Sequence, residues 1–219
     1  MKTRLGDDPR FIYVAGDWYR MPFVDDLFET MVQVRTIHHA ADVPALLRQL
    51  ARIARPSGSY VLEFASKQHL KAILRYGLKR QSWSPFQLDP VEFTALNYDF
   101  HPKWIRDQLA VAGFSPGRML TVSYYRIALL KRLVPTQILV TLDRYAQLSG
   151  NLWQLSPSVF IGSISPPAGQ AAQEDHFFAC PECGTPLIDL RENRLICSSP
   201  SCGKQWSFVD GVYDFKEPS

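Results

Sequence analysis

The stretch that decides the fold runs from Phe11 to Phe64. Residues 11–17 read FIYVAGD, residues 21–29 read MPFVDDLFE, residues 31–39 read MVQVRTIHH and residues 55–64 read RPSGSYVLEF. Between the last two pieces, apolar residues recur at helical spacing, at Val43, Leu46, Leu47, Leu50 and Ile53. Apolar strands that alternate with amphipathic helices predict an α/β fold with a mainly parallel sheet.

The order of these pieces resembles the second half of the S-adenosylmethionine-binding domain of class I methyltransferases. The resemblance is to methyltransferase type 11 proteins, which include the quinone-biosynthesis C-methyltransferases. That family has a Gly-Asp pair, a Pro-Phe turn, a Phe-Asp strand start, a strand end with His, and an Arg-Pro-Gly-Gly turn. Here Glu29 replaces the family Asp, and Ser57 replaces the first Gly of the turn. The resemblance implies transfer of a methyl group from S-adenosylmethionine to a small-molecule or lipid-like acceptor.

The resemblance begins at about the third strand of the family. Only ten residues precede Phe11, and none of the 12 glycines are at Gly-x-Gly spacing. A glycine-rich turn after the first strand is the feature that brings backbone close to a nucleotide in such folds. We therefore expect an incomplete Rossmann-like methyltransferase sheet that lacks the first two strands and the glycine-rich loop. We also expect weak or no binding of S-adenosylmethionine by this chain.

The resemblance implies three cofactor-binding residues. Asp17 matches the acid beside the adenine, Trp18 follows it, and Arg35 lies in the segment that flanks the reactive end of the cofactor. Asp17 also suits a simple turn after Gly16. Glu63 is placed late in a buried strand, where it either orients a substrate or ends the strand at the surface. No general base can be named from the sequence.

The chain divides into a methyltransferase-like domain (1–165), a linker (166–176) and a small C-terminal module (177–219). The linker begins Pro166-Pro167 and has no apolar periodicity. Residues 66–100 interrupt the alternation of strands and helices, in the region where the family builds a substrate cap. Its aromatic residues either pack in the core of that cap or face a substrate, and core packing is the favoured interpretation; they are Trp83, Phe86, Phe93 and Tyr98.

All four cysteines lie in the C-terminal module. Cys180 and Cys183 are separated by two residues, Cys197 and Cys202 by four, and 13 residues lie between the pairs. Gly184 and Gly203 follow the second cysteine of each pair, where a left-handed backbone is needed. This spacing predicts a closed, structural Zn site with four thiolate ligands, and the module resembles a zinc ribbon. Two disulfides would require an oxidising compartment, and a thioredoxin-like redox pair would need a single Cys-x-x-Cys.

Composition excludes some classes of function. Hydrophobic residues make up 46% and charged residues 21%, which is typical of a globular protein. No apolar run reaches the ~18 residues that span a bilayer, and the charged start is not a secretory signal, so a cytoplasmic protein is expected. The net charge is +3, of which residues 177–219 contribute −2 and the remainder +5. Nucleic acid is therefore a disfavoured partner, whereas the ribbon suits a protein partner, which leaves a non-catalytic interaction module as the alternative function.

A basic cluster follows the strand that ends near Phe64. It comprises Lys67, Lys71, Arg75, Lys79 and Arg80. Lys67, Lys71 and Arg75 fall on one predicted helical face, with Leu70, Ile73, Leu74 and Leu78 on the other. The favoured interpretation is a solvated helix whose apolar side packs on the domain. The other is a lid or membrane-surface helix that meets an amphipathic or anionic substrate.

Overall fold

The computed structural model describes residues 6, 8–125, 132–167, 169, 172, 176–188 and 194–218. The strands among them are β1 (Tyr13–Ala15), β2 (Phe28–Gln33), β3 (Ala54–Ala65), β4 (Val91–Thr94), β5 (Asn97–Asp99), β6 (Ser115–Val122), β7 (Ser158–Ile164), β8 (Leu187–Ile188), β9 (Arg194–Cys197), β10 (Gln205–Val209) and β11 (Val212–Asp214). The helices are α1 (Val43–Ile53), α2 (Leu70–Gly77), α3 (Pro102–Val111) and α4 (Thr136–Ala146). Short 3-10 turns cover Ile37–His39 and Gln147–Asn151. No helix among these residues is long and apolar enough to cross a bilayer.

The main sheet has four strands in the order β2-β3-β7-β6. β2 and β3 run parallel, whereas β7 lies antiparallel to both β3 and β6. The mixed α/β fold is as predicted, but the expectation of a mainly parallel sheet is wrong for these strands. An apolar run predicts that a strand is buried but carries no information about the direction of that strand. Here the antiparallel pairs arise because β7 lies between β3 and β6.

α1 packs its apolar stripe on this sheet as the sequence predicts. Leu46 and Leu47 are fully buried in a core that also contains Tyr60, Leu62 and Phe64 of β3. The side chain of Asp42 caps the helix by accepting a hydrogen bond from the N–H of Ala45. The sequence also predicts a helix that His101-Pro102 opens and Gly113 ends, and a strand over 114–124, and α3 and β6 form there. It further predicts a helix-like stretch within 126–152 that is broken at Pro135, and the part after Pro135 is α4. The part of that prediction before Pro135 falls partly on residues 126–131, which lie outside the described residues.

The first strand does not belong to the main sheet. β1 pairs in parallel with β11, at the edge of a second sheet ordered β1-β11-β10-β9-β8. The five-residue apolar run at Phe11 predicted a strand correctly but could not identify its partner. The pairing joins the start of the chain to the cysteine-bearing module, so it spans the proposed domain boundary at 166–176, and that boundary stays a prediction.

α2 is exposed on the side that was expected to be buried. Leu70, Leu74 and Leu78 are 53%, 56% and 65% exposed, and Ala72 is the buried residue of the helix. The interpretation that the apolar side of this helix packs on the domain is therefore wrong for Leu70, Leu74 and Leu78. Lys67 precedes the helix and is 1% exposed, so it is not part of the basic surface.

The segment 66–100 consists of α2 and a hairpin formed by β4 and β5. Tyr98 packs against the main core, which agrees with the favoured interpretation. Phe86 and Phe93 are 54% and 49% exposed, so core packing is wrong for these two residues. The hairpin thus presents aromatic surface to its surroundings.

Candidate functional site

The carboxyl ends of β2 and β3 form one edge of the main sheet. The two strands are in register up to the pair Gln33 and Leu62. The residues that follow β2 include Arg35, His38 and His39, and those at the end of β3 include Glu63 and Lys67. In open α/β sheets, ligands bind beyond the carboxyl ends of parallel strands. This edge is therefore the candidate functional site.

Glu63 is a buried acceptor that holds the exit turn of β2. Its side chain is 5% exposed. Its Oε2 accepts a hydrogen bond from the N–H of Arg35 at 2.8 Å, and its Oε1 accepts one from the hydroxyl of Ser158. Arg35 has a φ of 56°, a left-handed conformation that is costly for a residue with a Cβ. These hydrogen bonds offset the free-energy cost of burying the carboxylate of Glu63, and the bond to Arg35 positions the backbone of that residue.

The two histidines lie in the 3-10 turn that follows Arg35. Their ring centroids are 4.1 Å apart. Burial, and then the neighbouring His39, lower the pKa of His38. The Nδ1 of His39 is 2.8 Å from the carbonyl oxygen of Leu96, at the tip of the β4–β5 hairpin. The turn therefore anchors the hairpin over the edge of the sheet.

A second group of buried polar side chains follows β3. Lys67 donates a hydrogen bond from Nζ to the carbonyl oxygen of Asp89 at 2.6 Å, and Nζ lies 6.0 Å from the ring centroid of Trp83. Burial raises the pKa of Asp99 to about 6, although the charge of Lys67 opposes the shift. His101 accepts a hydrogen bond from the N–H of Lys103 and caps α3, and burial lowers its pKa. Sequence reasoning missed this group, and the available signal was that Lys67 directly follows the end of a buried parallel strand.

Asp17 and Trp18 lie on the loop after β1. The Oδ1 of Asp17 accepts a hydrogen bond from the N–H of Tyr19 at 2.8 Å, and its Oδ2 is 3.6 Å from the Nε of Arg20. Trp18 is half-buried and packs against the main core. Within the described residues, no hydrogen bond or ion pair joins either side chain to Arg35. Their role at a cofactor stays a prediction.

The described residues supply only part of a site for S-adenosylmethionine. The connections from β2 to α1 and from β3 to α2 contain no glycine that would let a ligand approach the backbone. A Cβ at Gly16 would lie 3.4 Å from the Cβ of Phe215, which is an ordinary contact with the C-terminal module. The carboxylate of Asp17 is already engaged by its own loop. The fit to the cofactor is incomplete.

The four cysteines come together as their spacing predicts. Their Sγ atoms all lie within 4.8 Å of one another, with 3.3 Å between Cys183 and Cys197 and 3.8 Å between Cys180 and Cys202. All four are free thiols. Gly184 and Gly203 have φ values of 75° and 56°, which confirms the left-handed turns. Hydrogen bonding with Thr185 lowers the pKa of Cys183 to about 6. The cluster is compatible with a metal-binding zinc ribbon.

Known proteins match the first part of the chain. Residues 1–62 match the family model described as the methyltransferase domain. A demethylmenaquinone methyltransferase from Mycobacterium marinum is 37% identical over 62 residues, which cover 28% of this chain and 27% of the relative. One from Roseiflexus sp. is 33% identical over 94 residues, covering 42% of this chain and 37% of the relative. The chain thus spans about a quarter to just over a third of the length of the curated relatives that it matches.

A solved structure of an S-adenosylmethionine-dependent methyltransferase from Archaeoglobus fulgidus is similar at a TM-score of 0.42 and 15% identity. The match covers 73% of this chain and 70% of that protein. The sequence match carries more weight, because it falls on the Gly-Asp and strand pattern of the first 62 residues. Over residues 1–62, the chain is similar to class I S-adenosylmethionine-dependent methyltransferases.

Proposed function

We propose that the protein takes part in S-adenosylmethionine-dependent methyl transfer to a lipid-like acceptor of the quinone class. The observation that carries this proposal is the methyltransferase-domain sequence of residues 1–62, shared with demethylmenaquinone methyltransferases. The acceptor class also suits the exposed aromatic rings of Phe86 and Phe93 on the cap. The alternative, a non-catalytic interaction module, has no support from the comparisons, and a protein partner of the ribbon stays a prediction.

The residues of this chain have positioning roles in the proposal. S-adenosylmethionine, when bound, supplies the methyl group, and the protein mainly orients the two reactants for an in-line displacement. Asp17 and Trp18 are proposed to meet the adenine, and Arg35 to flank the reactive end. Glu63 acts through Arg35, since it fixes the backbone of that turn. The β4–β5 hairpin, held by His39, covers the acceptor side.

A methyl-transfer assay tests the proposal. Because the described connections after β2 and β3 offer no glycine-rich turn to a nucleotide, we expect an affinity for S-adenosylhomocysteine no tighter than roughly 100 µM. Each missing polar contact removes ~1 kcal/mol or more. At millimolar S-adenosylmethionine, labelled methyl should appear slowly in a demethylated naphthoquinone, and Asp17→Ala should abolish the transfer. Asp8→Ala, which removes another loop acid, is the matched control and should leave it unchanged.

Two outcomes would contradict different parts of this proposal. The absence of methyl transfer to any quinone acceptor at saturating S-adenosylmethionine would overturn the function. Micromolar binding of S-adenosylhomocysteine that is lost in Asp17→Ala would show that the cofactor site is more complete than the described residues indicate.

We also propose that the four cysteines bind one Zn²⁺ ion as a structural site. A closed set of four thiolates leaves no coordination position for water, so the ion stabilises the fold and does no chemistry. A module of about 40 residues has little core, so a metal is an expected source of stability.

Metal analysis of the purified protein tests the zinc site. We expect about one equivalent of zinc, lost in Cys183→Ser, because a site with three thiolates binds much more weakly. Ser201→Ala, in the same turn region as Cys202 but without a ligand atom, should retain the metal. A metal-free protein whose C-terminal module is folded would show that the site is not a metal site.

A further inference from the structure

α2 presents apolar and basic side chains on one exposed face. Leu70, Leu74 and Leu78 are spaced by four residues and lie more than half exposed. Lys71 and Arg75 follow Leu70 and Leu74 in the sequence and form a neighbouring row. Neither row is covered by another described element. An amphipathic helix whose apolar stripe stays outside the core requires a partner or a surface to bury it.

These side chains line a groove of about 1230 Å³ between α2 and the segments around Tyr124 and Leu155. The side chains that α2 and the residues after it contribute to the lining include Leu70, Leu74, Leu78, Lys71, Arg75 and Arg80. None of the described lining residues is acidic. In addition, none of the three basic side chains forms an ion pair with a described acid. The positive charge of the groove is therefore uncompensated, which favours an anionic partner.

A pair of exposed apolar side chains lies in the segment next to the start of α2. The N–H of Leu70 donates a hydrogen bond to the carbonyl oxygen of Leu155 at 2.9 Å, which places the start of α2 against the segment that holds Leu152 and Trp153. These two side chains are 78% and 69% exposed. Tryptophan is the residue that accumulates at the boundary between lipid and water.

We propose that this face, formed by α2 with Leu152 and Trp153, docks on the surface of a bilayer that contains anionic lipids. The leucine row and Trp153 would enter the boundary of the acyl chains, while Lys71, Arg75 and Arg80 meet the headgroups. A nucleic acid would satisfy the positive charges but leave the leucine row in water. A second copy of the chain would bring like charges together. Bilayer docking requires neither methyl transfer nor zinc, so it goes beyond the proposed function.

Co-sedimentation with vesicles tests the proposal. The full chain should bind vesicles of phosphatidylcholine mixed with phosphatidylglycerol and should bind phosphatidylcholine alone much more weakly. Each basic side chain near an anionic surface strengthens binding by roughly fivefold, so Lys71→Glu with Arg75→Glu should weaken it by at least about 30-fold. Leu74→Ser should weaken binding by about tenfold and leave its dependence on salt unchanged. Because these side chains are exposed, the variants should keep the circular dichroism spectrum of the parent.

A matched control separates local from general charge effects. Arg48→Glu with Lys216→Glu makes the same change in net charge at exposed positions on α1 and in the C-terminal module, and should weaken binding far less than the α2 pair. The tryptophan emission should shift to the blue on the anionic vesicles, and Trp153→Phe should remove most of that shift.

Four results would overturn the proposal. They are equal binding to neutral vesicles, equal loss of binding in the control pair, tight binding to duplex DNA that requires Lys71 and Arg75, and a dimer in solution that Leu74→Ser dissociates.

Discussion

At the scale of the residue, the two acids near the end of β3 are buried in different ways. Glu63 is surrounded by donors, since it accepts hydrogen bonds from Arg35 and Ser158. Asp99 depends on the charge of Lys67, and burial outweighs that attraction and raises its pKa to about 6. A carboxyl group in such surroundings loses its proton at a higher pH than an exposed acid does, a property that it shares with general acids in enzyme sites.

Asp99 should make the stability of the protein fall as the pH rises. Its folded pKa of about 6 lies above the ordinary value of 3.8, so between these values the native state holds a proton that the unfolded chain releases. From pH 5 to pH 8, the free energy of unfolding should decrease by about 1 kcal/mol more in the parent than in Asp99→Asn. Urea unfolding at the two pH values measures this difference.

Asp107→Asn is the control for that measurement, because Asp107 is an exposed acid paired with Lys103. The free energy of unfolding of Asp107→Asn should change with pH as that of the parent does. If Asp99→Asn and the parent change in parallel, the carboxyl of Asp99 ionises as an ordinary exposed acid.

At the scale of the element, local sequence patterns predicted most helices and strands. They did not predict which strands pair with each other or which surface a helix packs against. α1 was predictable because Val43, Leu46 and Leu50 define one face, and Asp42 caps its start. The cysteine cluster was predictable because two short turns fix where four sulfur atoms can lie. β1 and α2 were misplaced because an apolar run has the same appearance whether it is buried in the main sheet, in a second sheet or at an exposed face.

In the candidate site too, single residues were predicted from the sequence, whereas the contacts between them were not. Arg35 and Glu63 were singled out from their positions in the chain, but the bond between them joins two strands and is set by the register of β2 on β3. Lys67 was assigned to a helix surface because its spacing from Lys71 fits a helix. In the structure Lys67 lies before α2 and is buried. The chain after β3 pairs with Phe100 there, through Ser66 and the N–H of Lys67.

At the scale of the whole molecule, the start of the chain is joined to the cysteine module. β1 pairs with β11, and the N–H of Phe215 donates a hydrogen bond to the carbonyl oxygen of Ala15 at 2.7 Å. Further along, the N–H of Ala179 donates to the carbonyl oxygen of Pro22 at 3.1 Å. Phe23 stacks on Phe178 with 5.9 Å between ring centroids. The module therefore packs against one side of residues 13–23. This segment includes Asp17 and Trp18.

Loss of the metal should release this N-terminal segment together with the module. If zinc holds the module folded, chelation or Cys183→Ser removes β11 and Phe178 as partners, and β1 then pairs with none of the other described strands. Hydrogen exchange of peptides from residues 13–23 should then accelerate at least about tenfold, since each lost hydrogen bond or ring contact contributes about 1 kcal/mol. Peptides from β3 should keep their protection, because their core lies in the main sheet. Ser201→Ala should leave both regions unchanged. Continued protection of residues 13–23 after the module has unfolded would mean that the main domain alone orders the loop that carries Asp17, and that the metal has no bearing on the cofactor side of the molecule.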